Sequence, residues 1–136
     1  MLTSHVMPAL IRKAHEAKRQ GLKQLEIWGS GTPRREFLHV DDCADALVYL
    51  LDVYSEMEHV NVGSGEDVTI LELAKIVATV VGFDGPVVLD TSKPDGAPRK
   101  LMDGRKLAAL GWKPTKKIED GVRETYQWFL SEVADD

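Results

Sequence analysis

A single cysteine, Cys43, stands in the 136 residues, so no disulfide can close within the chain, the fold must rest on its own core, and a reducing, cytoplasmic setting is the simplest expectation. No apolar run approaches the roughly 20 residues that a membrane-spanning helix needs. Met1-Leu2-Thr3-Ser4-His5 has neither a basic opening nor an apolar stretch of the kind a signal peptide carries. Cations are in deficit, 17 Lys+Arg against 22 Asp+Glu, a net charge of −5. That balance lacks the basic field that draws proteins to phosphate backbones, and nucleic acid is not expected as a partner. The histidines, His5, His15, His39 and His59, are scattered and Cys43 has no Cys-x-x-Cys partner, so no metal site is expected.

Two signals of nicotinamide chemistry are also lacking. A dinucleotide fold needs a G-x-G-x-x-G turn after a strand. The two Gly-Ser-Gly triplets, Gly29-Ser30-Gly31 and Gly63-Ser64-Gly65, have Arg34 and Val68 where the third glycine belongs, and read as turns. Nor is there a Tyr-x-x-x-Lys, since Tyr49, Tyr54 and Tyr126 are followed at that spacing by Val53, Glu58 and Leu130.

What is there suits one soluble globular unit spanning 1–136: 43% hydrophobic and 29% charged residues, with only Ala134-Asp135-Asp136 reading as a tail. A first helix is expected from about Ser4 to Gln20, with Pro8 in its first turn, Gly21 as a left-handed stop, and Leu10, Ile11, Ala14 and Ala17 as its apolar stripe. Leu25–Trp28 and Glu36–Val40 are β-prone runs joined by Gly29–Pro33, which suggests a hairpin or a paired excursion. Asp41 or Asp42 can cap the next helix, whose apolar positions recur at Ala44, Leu47, Val48 and Leu51. A short strand at His59–Val62 follows.

Thr69-Ile70-Leu71-Glu72 is a capping box, with Val68 placed to staple onto Leu73, and Ile70, Leu73, Ala74, Val77, Val80 and Val81 hold one face until Gly82. Pro86–Leu89 reads as a buried strand, Thr91–Pro98 as a loop, Asp103–Leu110 as a short helix stopped by Gly111, and about Lys117 to Glu132 as the last helix. Val122, Tyr126, Phe129, Leu130 and Val133 share one side of it. Trp112, Trp128, Phe129 and Tyr126 have core-like spacing, His15 falls on the outer side of the first helix, and His39 alternates within a strand. Helices and short strands alternate, so the class is α/β or α+β.

Several blocks in order, Ser4-His5-Val6-Met7-Pro8-Ala9-Leu10, Trp28–Pro33 into Arg35-Glu36-Phe37-Leu38-His39-Val40-Asp41-Asp42, Asn61-Val62-Gly63, and Ser92-Lys93-Pro94-Asp95-Gly96-Ala97-Pro98-Arg99-Lys100-Leu101, resemble the extended short-chain dehydrogenases that act on nucleotide sugars. The resemblance is strongest to the GDP-L-fucose synthase branch and continues through Gly111-Trp112 and Tyr126–Leu130. It implies the C-terminal, substrate-binding part of such a fold, without the Rossmann glycine-rich cofactor segment, completed by an N-terminal cofactor-binding half that this chain lacks. The resemblance implies that the intact enzyme, a homodimer, uses NADPH to epimerise and reduce GDP-4-keto-6-deoxymannose, while this chain alone would bind no cofactor and be catalytically incomplete.

By the same resemblance His5 takes the place of an epimerisation acid, a role that suits a side chain titrating near neutrality. Arg35 and Lys100 fall on positions contacting the diphosphate or sugar, Trp28 on one lining the nucleotide pocket, Val6 and Leu10 on the border of the base, and Lys13 where an arginine is usual, keeping the charge but not the planar fork. Arg34 and Arg99 stay open between a solvated rim and a ligand role. The rival readings are a stand-alone nucleotide-sugar-binding module that complements a separate cofactor half, and the same part of a UDP- or dTDP-sugar epimerase or dehydratase. If a cofactor domain is lost, part of the apolar surface should stand exposed.

Overall fold

The structure, a computed structural model, describes residues 5–133; the expectations placed on Met1–Ser4 and on the tail Ala134–Asp136 lie outside them. Helix α1 covers Val6–Arg19, with Pro8 in the first turn, and Gln20 passes the chain to Gly21 at φ +64°. Leu10, Ile11, Ala14 and Ala17 are all buried, as the stripe required. Strand β1 is Leu25–Trp28, β2 Arg34–Glu36, α2 Val40–Val53, β3 Asp67–Thr69, α3 Ile70–Val81, β4 Val87–Asp90, β5 Arg99–Lys100, α4 Arg105–Ala109 and α5 Ile118–Glu132.

The expected hairpin does not form. β1 pairs in parallel with β4, with Leu25 opposite Val87 and Trp28 opposite Asp90, while β2 joins a second sheet of order β3-β2-β5. The reason lies in the linker. Gly29 and Gly31 adopt positive φ, and the carbonyls of Gly31 and Pro33 turn away from β1 to accept the N–H groups of Leu71 and Ile70 at 3.0 and 2.9 Å. Together with the Thr69 hydroxyl, which accepts from Glu72 N–H in the predicted capping box, they satisfy the first three donors of α3, groups no helix can satisfy internally. Val68 and Leu73 enter the same core. At its far end α3 stops at left-handed Gly82, and Lys18 of α1 donates to the Val81 carbonyl at 2.8 Å.

The main core lies where α3 packs against α1, α5, β1 and β4. β1 alternates Leu25 and Ile27 inward with Glu26 and Trp28 outward, the pattern of a strand covered on one face. A smaller core gathers Ala46, Leu107 and Trp112, with Tyr49, Leu50, Val60 and Val62 against it.

Helix α2 departs from expectation twice. Its cap is His39, whose Nδ1 accepts from Asp41 N–H at 3.3 Å, because the chain leaves the sheet after Glu36. Asp42, one of the two expected caps, is instead buried and accepts from Thr115 N–H, the Thr115 hydroxyl and Lys116 N–H. Burial pushes the Asp42 carboxyl up, and the Lys116 and Thr115 donors outweigh it and hold the group below its ordinary value. The apolar stripe also points outward: Leu47, Val48 and Leu51 are 55%, 62% and 83% exposed. The helix is apolar on both sides, and the side bearing Ala46, Tyr49 and Leu50 is the one that meets α4 and Trp112.

His59–Val62 forms no strand and pairs with none among the described residues. Trp128, expected inside, is 60% exposed, whereas Trp112 is buried and donates its indole N–H to Asp45 at 2.8 Å. His15, expected outside, is half-buried with Nδ1 3.0 Å from the Tyr126 hydroxyl. No helix of the described residues is long and apolar enough to cross a membrane.

Candidate functional site

Four cations are presented by two short strands, and the pleat sorts them. In the parallel β2–β5 pair Arg34 is in register with Arg99 and Arg35 with Lys100; successive side chains point to opposite faces, so the four divide into two pairs. On one face Asp67, whose side chain is 5% exposed, takes Arg34 Nε at 2.9 Å on one oxygen and Arg99 Nε at 2.5 Å on the other. The Arg99 hydrogen bond, with that of Arg34, holds the Asp67 carboxyl below its usual range against the effect of desolvation. Arg34 and Arg99 are therefore structural cations. The other face holds Arg35, which donates through Nη1 to the carbonyls of Arg34 and Ala97, both at 2.7 Å, and Lys100, exposed and without a hydrogen bond or ion pair among the described residues.

Arg35 opens onto a cleft of about 200 Å³ lined by Val6, Trp28, Pro33, Ile70, Pro94 and Asp95 among others. Trp28 leaves β1 with 63% of its surface exposed, and Lys93 lies 5.7 Å from its ring centroid. A flat aromatic face, a guanidinium, a carboxylate and an apolar floor converge there. That set suits a ligand with a planar ring, hydroxyls and negative charge.

The structure brings Val6, Trp28 and Arg35 to this cleft and Lys100 to the strand beside it. His5 is exposed one residue before Val6, at the N-cap of α1, and its side chain makes no capping hydrogen bond. Lys13 lies away from the cleft in a groove between α1 and α5 that Trp128 and Phe129 also line. Its charge still reaches Asp90, the β-partner of Trp28: the Ser92 hydroxyl chiefly holds the Asp90 carboxyl low, with smaller contributions from Lys93 and Lys13. Leu10 is in the core, not at the border of a pocket, because α1 turns it toward α3. Asp95 is the residue that sequence reasoning passed over. Its loop was legible from its prolines and glycine, but only the fold reveals that this carboxylate returns to Ser30, accepting the Ser30 N–H at 2.8 Å and hydroxyl at 2.7 Å.

Both Gly-Ser-Gly turns are closed by the chain's own carboxylates. Asp95 fills the first so tightly that a Cβ at Gly29 would strike it, and Glu36 fills the second, accepting Gly65 N–H at 2.7 Å where a Cβ at Gly63 would collide. Backbone donors so occupied, and an α3 N-terminus capped by protein groups, do not fit a pyrophosphate. Elsewhere His39, Asp41 and Glu124 bring ligand-type atoms within 4.8 Å of one another, a cluster their sequence spacing hides. The Lys116 ammonium already lies there, 2.6 Å from Glu124 and 3.7 Å from Asp41.

Residues 2–63 match the NAD dependent epimerase/dehydratase family. The chain is 59% identical over 130 residues to GDP-L-fucose synthase 1 of Arabidopsis thaliana, covering 96% of this chain and 40% of that protein. It is 59% identical over 133 residues to GDP-L-fucose synthase of Sinorhizobium fredii, covering 98% and 42%. A GDP-L-fucose synthetase from Naegleria fowleri, solved with NADP bound, superposes with a TM-score of 0.89 at 31% identity, over 98% of this chain and 43% of that one. The chain thus spans about 40% of the length of the curated relatives it matches, and its fold is that of the C-terminal part of the extended short-chain dehydrogenases.

Proposed function

We propose that this chain, a homologue of part of the GDP-L-fucose synthases, is the nucleotide-sugar-binding part of an enzyme of that kind, which epimerises and reduces a GDP-4-keto-6-deoxyhexose in the cytoplasm. The observation that carries the reading is the in-register placement of Arg35 beside Lys100, next to the exposed Trp28 face, with the neighbouring arginines removed to the opposite face.

In this reading Arg35 and Lys100 grip the diphosphate. A guanidinium gives two directed hydrogen bonds and an ammonium a mobile point charge. Trp28 lies against the planar or sugar portion, Val6 forms part of the apolar wall, and Lys13 adds long-range positive potential. His5, on the chain just ahead of Val6, serves as the acid that returns a proton to a carbon beside the ketone, where the carbonyl makes C–H bonds acidic. Leu10 has only an indirect part, supporting the α1 face that carries Val6.

NADPH does not fit the glycine turns of this chain, so we assign it to the part of the enzyme outside these residues. The bare Leu47, Val48 and Leu51 face of α2, with the unpaired segment His59–Val62 close to the same small core, supports an apolar contact with that part. Calorimetric titration of the chain with GDP, UDP and dTDP tests the reading. GDP should bind tightest; equal affinity for all, or none for any, would overturn it. Mixing with the cofactor-binding half of a close relative should restore NADPH-dependent reduction if the apolar face is the joint.

A further inference from the structure

The strand that carries Lys100 is the shortest of the five described. β5 is two residues long and exposed, and a one-residue slip would replace Lys100 on the Arg35 face by Arg99 or by Leu101. Its backbone is tied at both flanks: ahead of the pair Arg34 N–H donates to the Pro98 carbonyl at 2.8 Å, and beyond it Met102 N–H donates to the Glu36 carboxylate at 3.1 Å. The side-chain grip is stronger. Asp67, on β3 at the far side of the sheet, reaches under β2 and takes Arg34 with one carboxylate oxygen and Arg99 with the other, while its own carbonyl accepts Arg34 Nη2 at 2.7 Å. One nearly buried carboxylate therefore spans all three strands, in the order β3-β2-β5.

We propose that Asp67 is a positioning residue for the anion site: by holding Arg34 and Arg99 on one face of the sheet it fixes the register that sets Lys100 beside Arg35 on the other. The inference rests on the reading of Arg35 and Lys100 as the diphosphate grip, and it adds a residue that touches no ligand. Paired strands lie about 4.8 Å apart, so two cations in register can share one diphosphate; a β5 slipped to set Leu101 opposite Arg35 would offer only one, and one slipped the other way would bring Arg99 there only by taking it off Asp67.

The test uses the whole chain and its Asp67→Asn variant, titrated with GDP and with guanosine, beside thermal melts. Asparagine keeps the shape but loses the charge and one acceptor. Weakening of GDP by about tenfold, with guanosine within about twofold of the parent, is the expected result. Loss of a nearby negative charge would by itself tighten binding of an anion. GDP affinity that is unchanged or improved therefore overturns the proposal, as does an equal loss for both ligands. Should Asp67→Asn fail to fold, Arg99→Lys carries the test: charge is kept and the fork is lost, and GDP affinity equal to the parent's would overturn the assignment. Failure of the underlying reading looks different, since the parent chain itself would then show no preference for GDP over guanosine.

Discussion

Asp95 clasps Ser30 with both carboxylate oxygens, one on the backbone N–H at 2.8 Å and one on the hydroxyl at 2.7 Å, and so ties the loop after β4 to the turn after β1. Removing the clasp should free the loop. Asp95→Ala is expected to speed amide exchange across residues 91–98 by about an order of magnitude, with the α3 amides unchanged. Uniform exchange in both variants would show that β5 and the Arg35–Ala97 bond hold the loop unaided.

Arg35 and Lys100 should differ in how they fail. Arg35→Lys keeps the charge but loses the planar fork, and Lys100→Arg keeps the charge and adds one. GDP affinity should fall about tenfold in the first and change by about threefold or less in the second. Titration calorimetry reads both.

The outward face of α2 should make the chain self-associate. Leu47, Val48 and Leu51 form one exposed apolar patch, and replacing Val48 and Leu51 with lysine should shift sedimentation toward the monomer while leaving the melting temperature nearly unchanged, because neither side chain is in the core. A parent chain that stays monomeric at high concentration would remove this evidence for a docking face.

Acid should loosen the junction between α2 and α5. The folded-state Asp42 carboxyl lies below its ordinary 3.8, so the unfolded chain takes up its proton at a higher pH than the folded chain does. The stabilisation is therefore complete above the ordinary carboxylate range and is lost as pH falls below it, through the depressed folded-state value. Asp67 has the same sign. Asp42→Asn should lower stability at neutral pH and flatten the acid limb of a melting-temperature profile; an unchanged limb would point to other carboxylates.

The helix cap offers a local check. Thr69→Ala removes the hydroxyl that accepts Glu72 N–H and should cost about 1 kcal/mol by chemical denaturation.

Elements whose signals are local were legible in the sequence. The capping box at Thr69, the stripe of α1 and the glycine stops at Gly21, Gly82 and Gly111 depend on neighbours a few residues away, and the structure has them. What depended on distant partners was not. Gly29–Pro33 looked like a hairpin turn because nothing in those residues says that their carbonyls belong to α3. The inner face of α2 is not legible locally, because both of its sides are apolar and only Trp112 and Leu107, some sixty residues away, decide which is inside. The site divides the same way: Trp28 and Arg35 came from the motif, whereas the separation of Arg34 and Arg99 from Arg35 and Lys100 needed the strand register, and Asp95 needed the closure of its loop.

The carbonyls of Gly31 and Pro33 that cap α3 also set a rule for insertions. A residue added between Trp28 and Arg34 would carry those acceptors off the helix end, so the length of that linker is fixed by a helix far along the chain. The stretch after α2 has no such duty: Ser55, Glu56 and Met57 are exposed, and no helix depends on their carbonyls for its cap. Peptide tags or fluorophores should be accepted there and rejected in the linker.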